Sequence, residues 1–185
     1  MSESLTRTFV AVDIPEHIKT AISGIDLRGL AEGVDAQQLH VTINFLGYLN
    51  QKRFEHAAEI IKRYEHKQFE VSVEGGGIFE SRGRGVVFVG IHKGAAELLD
   101  IHTQLKSLFE QRGILQEDRA FTPHITFARF KGLDRNKLGA LGSIVEGVKA
   151  RSFGNFRCSS LELKRSVLTG SGPVYSTLAA SEFIS

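Results

Sequence analysis

Residues 39–47 read LHVTINFLG, an alternation of polar and apolar side chains that is typical of a β-strand with one buried face. Because successive side chains of a strand point to opposite sides, His40, Thr42 and Asn44 share one face. We expect the apolar residues that alternate with them, Phe45 included, to face the core. The stretch thus offers an imidazole and a hydroxyl side by side on a rigid backing.

The same pattern recurs at residues 121–129, which read FTPHITFAR. Here His124 and Thr126 share one face of a predicted strand over residues 124–130. A single histidine on a half-buried strand is usually structural, and threonine is an ordinary strand residue. Two matched copies in one chain favour a shared function instead. If both strands face one cleft, two imidazoles and two hydroxyls surround a small volume.

Apolar periodicity and turn residues predict elements in the order β-α-β-α-β-β-α-β-α-β-β along the chain. Their expected bounds are strand 6–13, helix 16–27, strand 40–45, helix 50–67, strands 69–73 and 86–91, helix 95–112, strand 124–130, helix 134–145, and strands 156–168 and 174–180. The glycines at 75–77 are expected to end a strand in a bulge or turn. Irregular mixing of strands and helices favours the α+β class. No low-complexity linker interrupts the chain, so we predict one domain over residues 1–185, with two lobes.

The chain has 185 residues, of which 42% are hydrophobic and 24% are charged. This is ordinary globular composition at a length that buries a core without disulfides. It excludes a disordered tail, a collagen-like rod and a cysteine-stapled miniprotein. The 23 Lys and Arg residues against 21 Asp and Glu residues give a net charge of +2. A protein that coats nucleic acid has a larger basic excess, so any phosphate recognition must be local.

Cys158 is the only cysteine, which excludes an internal disulfide and a cysteine-rich zinc site. We expect it to be a buried thiol. The longest apolar runs are about four residues, whereas a membrane span needs roughly 20. We therefore expect a cytoplasmic protein with no membrane partner. Among the five histidines outside the two motifs, we expect partial burial for His102 and solvent exposure for His17, His56, His66 and His92.

Paired imidazoles suit acid–base chemistry at a phosphorus atom. Imidazole titrates near neutral pH, so one neutral histidine can take a proton from an attacking group while one protonated histidine gives a proton to a leaving oxygen. The hydroxyls of Thr42 and Thr126 can donate to the non-bridging phosphate oxygens. Such a set of side chains requires neither a metal nor a cofactor.

Further candidate residues are basic or aromatic. Arg129 is a candidate phosphate ligand, although strict alternation points it away from His124 and it reaches the same face only if the strand bulges. Arg82 and Arg84 lie in a glycine-rich turn that we expect to be exposed. Phe9 is a candidate both for the core and for stacking on a base.

Four segments, in order along the chain, match a known family. They are RTFVA at residues 7–11, LHVTINFLG at 39–47, FTPHITFAR at 121–129, and LKRSVL at 163–168 followed by GPVY at 172–175. The chain resembles the RNA 2′,3′-cyclic phosphodiesterases, also named 2′-5′ RNA ligases, of the two-histidine phosphoesterase superfamily. The resemblance runs nearly end to end, and we take Ser166 and Tyr175 in the last segment as structural.

The resemblance implies a bilobal α+β fold, in which antiparallel sheets line a central cleft and helices lie outside. It implies metal-free hydrolysis of a terminal 2′,3′-cyclic phosphate on RNA to a 2′-phosphate. His40 corresponds to the general acid that protonates the leaving 3′ oxygen, and His124 corresponds to the general base that activates water. Some members also join RNA ends through a 2′-5′ bond in vitro. The expected partners are RNA ends, tRNA fragments among them, and we expect a monomer.

Two other functions stay open at this point. A non-catalytic protein could hold a terminal RNA phosphate in the same cleft, although binding alone favours Arg or Lys over titratable groups. A related phosphodiesterase could act on a small cyclic nucleotide phosphate, such as ADP-ribose cyclic phosphate. Comparing the rates on mononucleotide and oligonucleotide substrates separates this last reading from an RNA phosphodiesterase.

Overall fold

A computed structural model describes residues 5–114, 120–170 and 172–185. Within these residues lie nine strands and four α-helices, besides a 3₁₀ turn at Ala36–Gln38. The elements in chain order are β1 (Thr6–Asp13), α1 (Glu16–Ser23), β2 (Glu32–Gly33), β3 (His40–Leu49), α2 (Gln51–Arg63), β4 (Phe69–Ser81), β5 (Arg84–Ile91), α3 (Ala95–Gln111), β6 (His124–Lys131), α4 (Arg135–Lys149), β7 (Ser152–Cys158), β8 (Ser160–Thr169) and β9 (Gly172–Glu182).

The strands of the described residues form one sheet in the order β7-β4-β5-β6-β3-β1-β8-β9, with β2 pairing on β6 outside that path. The pairings between these strands are antiparallel. Two groups of four strands meet at the centre of the sheet, where one registered pair, Val41 opposite Ile125, joins β3 to β6. Four helices against an antiparallel sheet confirm the predicted α+β class.

The helices bury their apolar residues in one continuous core with the sheet. α2 packs against β8 and β9, and α4 packs against β4. The other two helices cross between the two groups of strands. α1 follows β1 in the chain but packs against β7, and α3 follows β5 but packs against β3. These crossings support our proposal that the chain is a single two-lobed domain.

The two central strands carry the same irregularity, a bulge at the third residue after the histidine. The pairing of β3 with β1 skips Ile43, and the pairing of β6 with β5 skips Phe127. Because a bulge adds one residue to a strand, the side chains beyond it change face. Asn44 is therefore buried, and Phe45 is 65% exposed. The expectation that Asn44 faces the site and Phe45 the core is wrong for this reason.

Two predictions about strands fail where pairing partners decide the outcome. The strand expected over residues 156–168 is divided at Ser159, so that β7 pairs with β4 in one group and β8 pairs with β1 in the other. No Gly or Pro marks this change of partner. The glycines at 75–77 do not end a strand either, because β4 continues through them to Ser81 with a register shift between Val73 and Gly76.

Gly76 allows β4 to approach its neighbours closely. A Cβ atom at this position would lie 2.6 Å from the carbonyl oxygen of Phe88 and 2.7 Å from Cγ1 of Val148. The first atom belongs to the backbone of β5 and the second to a buried side chain of α4. Only a residue without a side chain fits between them.

Gly76→Ala is expected to lower the free energy of unfolding by about 1–3 kcal/mol, because the backbone must shift to admit the methyl group. Gly139→Ala is the control, since a Cβ atom there, within α4, meets nothing within 4 Å. Alanine favours a helix over glycine by about 1 kcal/mol, so the control variant should be at least as stable as the wild type. Urea unfolding measures both variants. Equal stability of Gly76→Ala and the wild type would contradict the close approach.

Candidate active site

Both motif histidines are held by the backbone carbonyl two residues before them. Nδ1 of His40 lies 2.6 Å from the carbonyl oxygen of Gln38, and Nδ1 of His124 lies 2.7 Å from that of Thr122. A carbonyl oxygen only accepts hydrogen bonds, so Nδ1 carries a hydrogen in each ring. Nε2 is therefore the atom that gains or loses a proton in both histidines.

The registered pair at the centre of the sheet relates the two motifs to each other. Continuing its antiparallel register by one residue on each side sets His40 opposite Thr126 and Thr42 opposite His124. Opposite side chains share a face at Cβ separations of about 5 Å, and diagonal neighbours lie about 7–8 Å apart. The two histidines are thus diagonal neighbours across the join. Each strand begins at its motif histidine and the two run in opposite directions, so within the described residues they share one registered pair, and β2 pairs with β6 beyond it.

The ring of His40 lies among aromatic side chains of β1 and β9. Its centroid is 5.0 Å from that of Phe9 and 5.4 Å from that of Tyr175. Nε2 lies 2.9 Å from Oγ1 of Thr42. Because Nδ1 already carries a hydrogen, the neutral ring accepts this bond from the hydroxyl and the protonated ring donates it. Thr42 thereby restrains the atom that titrates.

The ring of His124 has equivalent neighbours from β4 and β5. Its centroid lies 5.1 Å from that of Phe79 and 5.2 Å from that of Phe88, both in edge arrangements. Phe88 lies against Gly77, where a Cβ atom would be 2.6 Å from the end of its ring. Glycine at this position therefore lets the ring lie flat on β4 and support the imidazole.

Burial lowers the pKa of both histidines. For His40 the loss of water is the largest cause, and the positive charges of Lys164 and Arg129 lower its pKa further. The carboxylate of Asp13 opposes this effect. For His124 burial is again the main cause. The backbone hydrogen bonds raise both pKa values but do not cancel the burial, so both imidazoles favour the neutral form at neutral pH.

A buried lysine lies near His40. Lys164 is 8% exposed, and its Nζ lies 2.8 Å from a carboxylate oxygen of Asp13 and 3.2 Å from one of Glu162. Thr177 donates a hydrogen bond to Glu162. Asp13 is the cross-strand partner of His40 in the pairing of β1 with β3. The cluster thus holds a compensated positive charge beside the imidazole, as a buried charge requires.

A cleft of about 760 Å³ opens over this face of the sheet. Of the residues predicted for the site, Phe9, Thr42 and His124 line the cleft. His40, Thr126 and Arg129 do not line it, but His40 reaches it through the hydrogen bond with Thr42. The cleft is also lined by Arg7, Phe45, Phe79, His102 and Phe121.

Arg129 lies on the face that carries the second motif. The bulge in β6 reverses the alternation before it, which is the condition under which we expected Arg129 to reach that face. Its side chain is exposed, and its charge acts on the pKa of His40. Arg82 and Arg84 lie at the turn between β4 and β5 and are exposed, as predicted.

Phe9 lies in the wall of the cleft with little free surface. It is 4% exposed, and its ring centroid lies 6.2 Å from that of Phe45. Tyr175 meets the Phe9 ring edge-on at 5.0 Å. Stacking of a base on Phe9 itself stays a prediction, and Phe45 presents the open ring beside it.

Sequence reasoning missed the contact that His102 makes with both motif segments. Nδ1 of His102 lies 2.8 Å from the carbonyl oxygen of Ile43, the bulged residue of β3. Its ring stacks on Phe121 at 4.3 Å with an interplanar angle of 8°. Phe121 immediately precedes Thr122, whose carbonyl binds His124. No sequence signal marks these contacts, because Ile43 and His102 are 59 positions apart.

The sequence analysis also made predictions for Cys158, Ser166 and the histidines outside the two motifs. Cys158 is buried as expected, and burial raises its pKa to about 12. Ser166 accepts a hydrogen bond from Arg7 at 3.1 Å. His102 is half-buried and His17 and His92 are exposed, as expected. His56 and His66 are half-buried, so the expectation that they are exposed is wrong.

The described residues contain no group of three or more His, Cys, Asp or Glu side chains suited to a metal ion. Among the same residues no helix has the length and apolar character needed to cross a membrane.

Comparisons with known proteins identify the family of the chain. The family model of the AKAP7 2′5′ RNA ligase-like domain matches residues 10–183. An RNA 2′,3′-cyclic phosphodiesterase of Archaeoglobus fulgidus is 30% identical over 181 residues, which cover 95% of this chain and 99% of the relative. One from Aeropyrum pernix is 33% identical over 146 residues, which cover 78% of this chain and 82% of the relative.

Solved structures show the same fold. Escherichia coli LigT in its apo form has a TM-score of 0.79 at 21% identity and covers all of both chains. The fold and the paired motifs therefore define a LigT-like α+β protein. The chain belongs to the 2′5′ RNA ligase-like family, which confirms the predicted resemblance. The predicted enzyme class matches the names of the curated relatives.

The lowered histidine pKa values predict a loss of stability in acid. As the pH falls below about 6.5, these imidazoles gain protons in the unfolded chain before they do in the folded one, so unfolding becomes more favourable. The free energy of unfolding should therefore rise between about pH 5 and pH 7.5, and it should rise less in the double variant His40→Gln/His124→Gln. Urea unfolding across this range measures the slopes. His17→Gln/His92→Gln, at two exposed positions, is the control, and a wild-type slope in the first double variant would refute the lowered pKa values.

Proposed function

We propose that this protein hydrolyses terminal 2′,3′-cyclic phosphates on RNA to 2′-phosphates, with His40 and His124 as acid and base. The observation that carries the proposal is the diagonal pair of imidazoles across the join of β3 and β6, each with Nδ1 bound to a carbonyl. Nε2 is then the atom of each ring that exchanges a proton, and in His40 it does so by giving up its hydrogen bond with Thr42. The relatives named RNA 2′,3′-cyclic phosphodiesterase support the substrate class.

The proposed reaction is an in-line displacement at phosphorus. Nε2 of neutral His124 takes a proton from water, and the water oxygen forms a bond to phosphorus. The bond between phosphorus and the 3′ oxygen breaks on the opposite side. Nε2–H of protonated His40 gives its proton to that leaving oxygen, so the products are a 2′-phosphate and a 3′-hydroxyl. Each proton transfer of this kind contributes about 10²–10⁴ to the rate.

Substrate binding supplies the protonation state that the acid needs. In the free site burial and two nearby cations lower the pKa of His40. A cyclic phosphate is an anion, and an anion beside an imidazole raises its pKa. The proton on His40 is therefore taken up together with the substrate, while His124 stays neutral because the water molecule lies between it and the phosphate. The acid is charged only when there is a leaving group to protonate.

Side chains around the histidines bind the substrate in this proposal. The hydroxyls of Thr42 and Thr126 donate to the two non-bridging oxygens, and the guanidinium of Arg129 neutralises their charge. The base of the terminal nucleotide stacks on the aromatic wall of Phe9 and Phe45, with Phe45 as the exposed ring.

The same pair of histidines would work without a metal ion and could also join RNA ends. No step requires a metal ion or a cofactor, because imidazoles carry the protons and hydroxyls and Arg129 bind the charge. With a 5′-hydroxyl in the place of water, the reverse type of reaction joins RNA ends through a 2′-5′ bond.

We further propose that the protein is a monomer in the cytoplasm and that tRNA fragments are among its substrates. The single buried thiol of Cys158 is consistent with a reducing compartment.

Replacing either histidine by alanine should lower kcat by about 10²–10⁴ on an oligonucleotide with a terminal 2′,3′-cyclic phosphate. The wild-type rate should be unchanged in EDTA, and His92→Ala, at an exposed histidine, serves as the control. Chromatography of the 2′-phosphate product measures the rates. No product from the wild type, or product from the double alanine variant, would refute the proposal. Tight binding of RNA ends without turnover would indicate a non-catalytic binder, and hydrolysis of mononucleotides alone would indicate a small-nucleotide enzyme.

A substrate with sulfur in place of the leaving 3′ oxygen separates the two histidine roles. A thiolate leaves without prior protonation, so the defect of His40→Ala should shrink by about tenfold or more on this substrate. The defect of His124→Ala should persist, because water still needs a base. The ratio of rates on the oxygen and sulfur substrates gives the result for each variant. Rescue of His124→Ala instead would reverse the assignment.

A further inference from the structure

The β4–β5 and β8–β9 hairpins lie on either side of the central strands, with their turns at opposite ends of the cleft face. β3 and β6 are antiparallel, so they run away from their histidines in opposite directions. The β4–β5 hairpin lies at the far end of β6, where Arg84 pairs with Lys131. The β8–β9 hairpin lies beyond β1, at the far end of β3. An RNA chain that enters the cleft from one side meets only one of these ends.

Three cations form a row on the cleft face towards the β4–β5 hairpin. Beyond the bulge of β6, Arg129 and Lys131 share the face of the second motif. Arg84 lies opposite Lys131 and therefore shares that face. The row extends about 13 Å past Thr126, measured along β5 from Phe88 to Arg84 at roughly 3.3 Å per residue, and Arg82 lies at the turn beyond it. We call Arg84, Arg129 and Lys131 the basic row.

The charges of the basic row are not compensated by nearby carboxylates. All three side chains are exposed, and among the described residues none of them forms an ion pair. Two carboxylates on neighbouring strands form no salt bridge with the row. Glu80 accepts a hydrogen bond from the backbone of Gly83, and Glu32, the cross-strand partner of Arg129, forms no salt bridge with it. Free cations in one line produce a local positive potential on a chain of nearly neutral net charge.

The end of the cleft face at the β8–β9 hairpin has fewer exposed cations. Leu168 of the β8–β9 hairpin is 65% exposed and shares a face with Lys164 and Ser166. Arg7 lines the cleft on this side but donates to the hydroxyl of Ser166. Arg165 alternates with the buried Lys164 and so belongs to the other face of the sheet. A chain of phosphates would meet one exposed leucine and one hydrogen-bonded arginine here, and three cations at the other end.

We propose that the RNA strand on the 5′ side of the terminal nucleotide leaves the cleft along the basic row, with Arg84 and Lys131 contacting its phosphates. The inference rests on the proposed function and adds the direction of the strand and the preferred length of the substrate. A terminal nucleotide bound by its cyclic phosphate connects to the rest of the RNA only through its 5′ oxygen, so the strand must leave by one end. Contacts with upstream phosphates make an oligonucleotide a better substrate than a mononucleotide.

The double variant Arg84→Gln/Lys131→Gln tests the basic row, with Arg129 left intact. We expect the ratio of kcat/KM for an oligonucleotide to that for a 2′,3′-cyclic mononucleotide to fall by about tenfold at low salt. For the oligonucleotide, the slope of log kcat/KM against log salt should become shallower by about 1.4, since each lost phosphate contact on a single strand accounts for about 0.7. The control is Lys52→Gln/Arg53→Gln, which removes the same charge from exposed positions of α2. It should leave both measurements unchanged.

Fluorescence anisotropy with the same oligonucleotide ending in a 3′-phosphate measures binding separately from turnover. We expect Kd to rise about tenfold in the basic-row variant and to stay constant in the control. A wild-type enzyme that turns over neither substrate would refute the proposed function, and the anisotropy would still decide the role of the row. An unchanged ratio with an unchanged Kd would overturn the basic row, as would equal losses in the variant and the control.

Discussion

One antiparallel pair, Val41 opposite Ile125, is the contact on which the arrangement of the site depends. It joins two four-stranded groups and sets the histidine of each motif opposite the threonine of the other. If the register between these strands slipped by one residue, one motif would turn to the core and the other would remain. A single pair suffices because α1 and α3 each pack across to the opposite group and hold the two together. Each strand begins at its motif histidine and runs away from this pair, so their overlap is confined to the two motifs.

Matching bulges after the two motifs give β3 and β6 similar backbones, but the side chains beyond the bulges differ in chemistry. Each bulge brings the fifth residue after the histidine to the cleft face. In one half that residue is Phe45, and in the other it is Arg129. An aromatic ring on one side and a cation on the other suit the base and the phosphate of one nucleotide. The two motif strands therefore carry different chemistry at equivalent positions of the backbone.

Burial among aromatic rings gives the histidines their electrostatic character. Each imidazole lies about 5 Å from two rings, and its Nδ1 is tied to a carbonyl. Removal of water lowers both pKa values, and the nearby Lys164, compensated by Asp13 and Glu162, acts on His40 in the same direction. The two imidazoles thus share burial and a carbonyl-bound Nδ1, and they differ in the charged side chains that act on the pKa of His40.

The sequence by itself determined the two motif strands, the shared face of each His–Thr pair and the α+β class. These features depend on side-chain alternation, which local patterns encode. Only the tertiary structure decided that Phe45 lines the cleft and Arg129 shares the face of the second motif, that the strand expected over residues 156–168 divides at Ser159, and that His102 contacts both motif segments. The bulges and the division follow from how a strand pairs with partners distant in the chain, and the contact of His102 follows from where α3 packs. The apolar periodicity of one segment does not specify which other segment it packs against. These features are therefore fixed only when the segments come together in the fold.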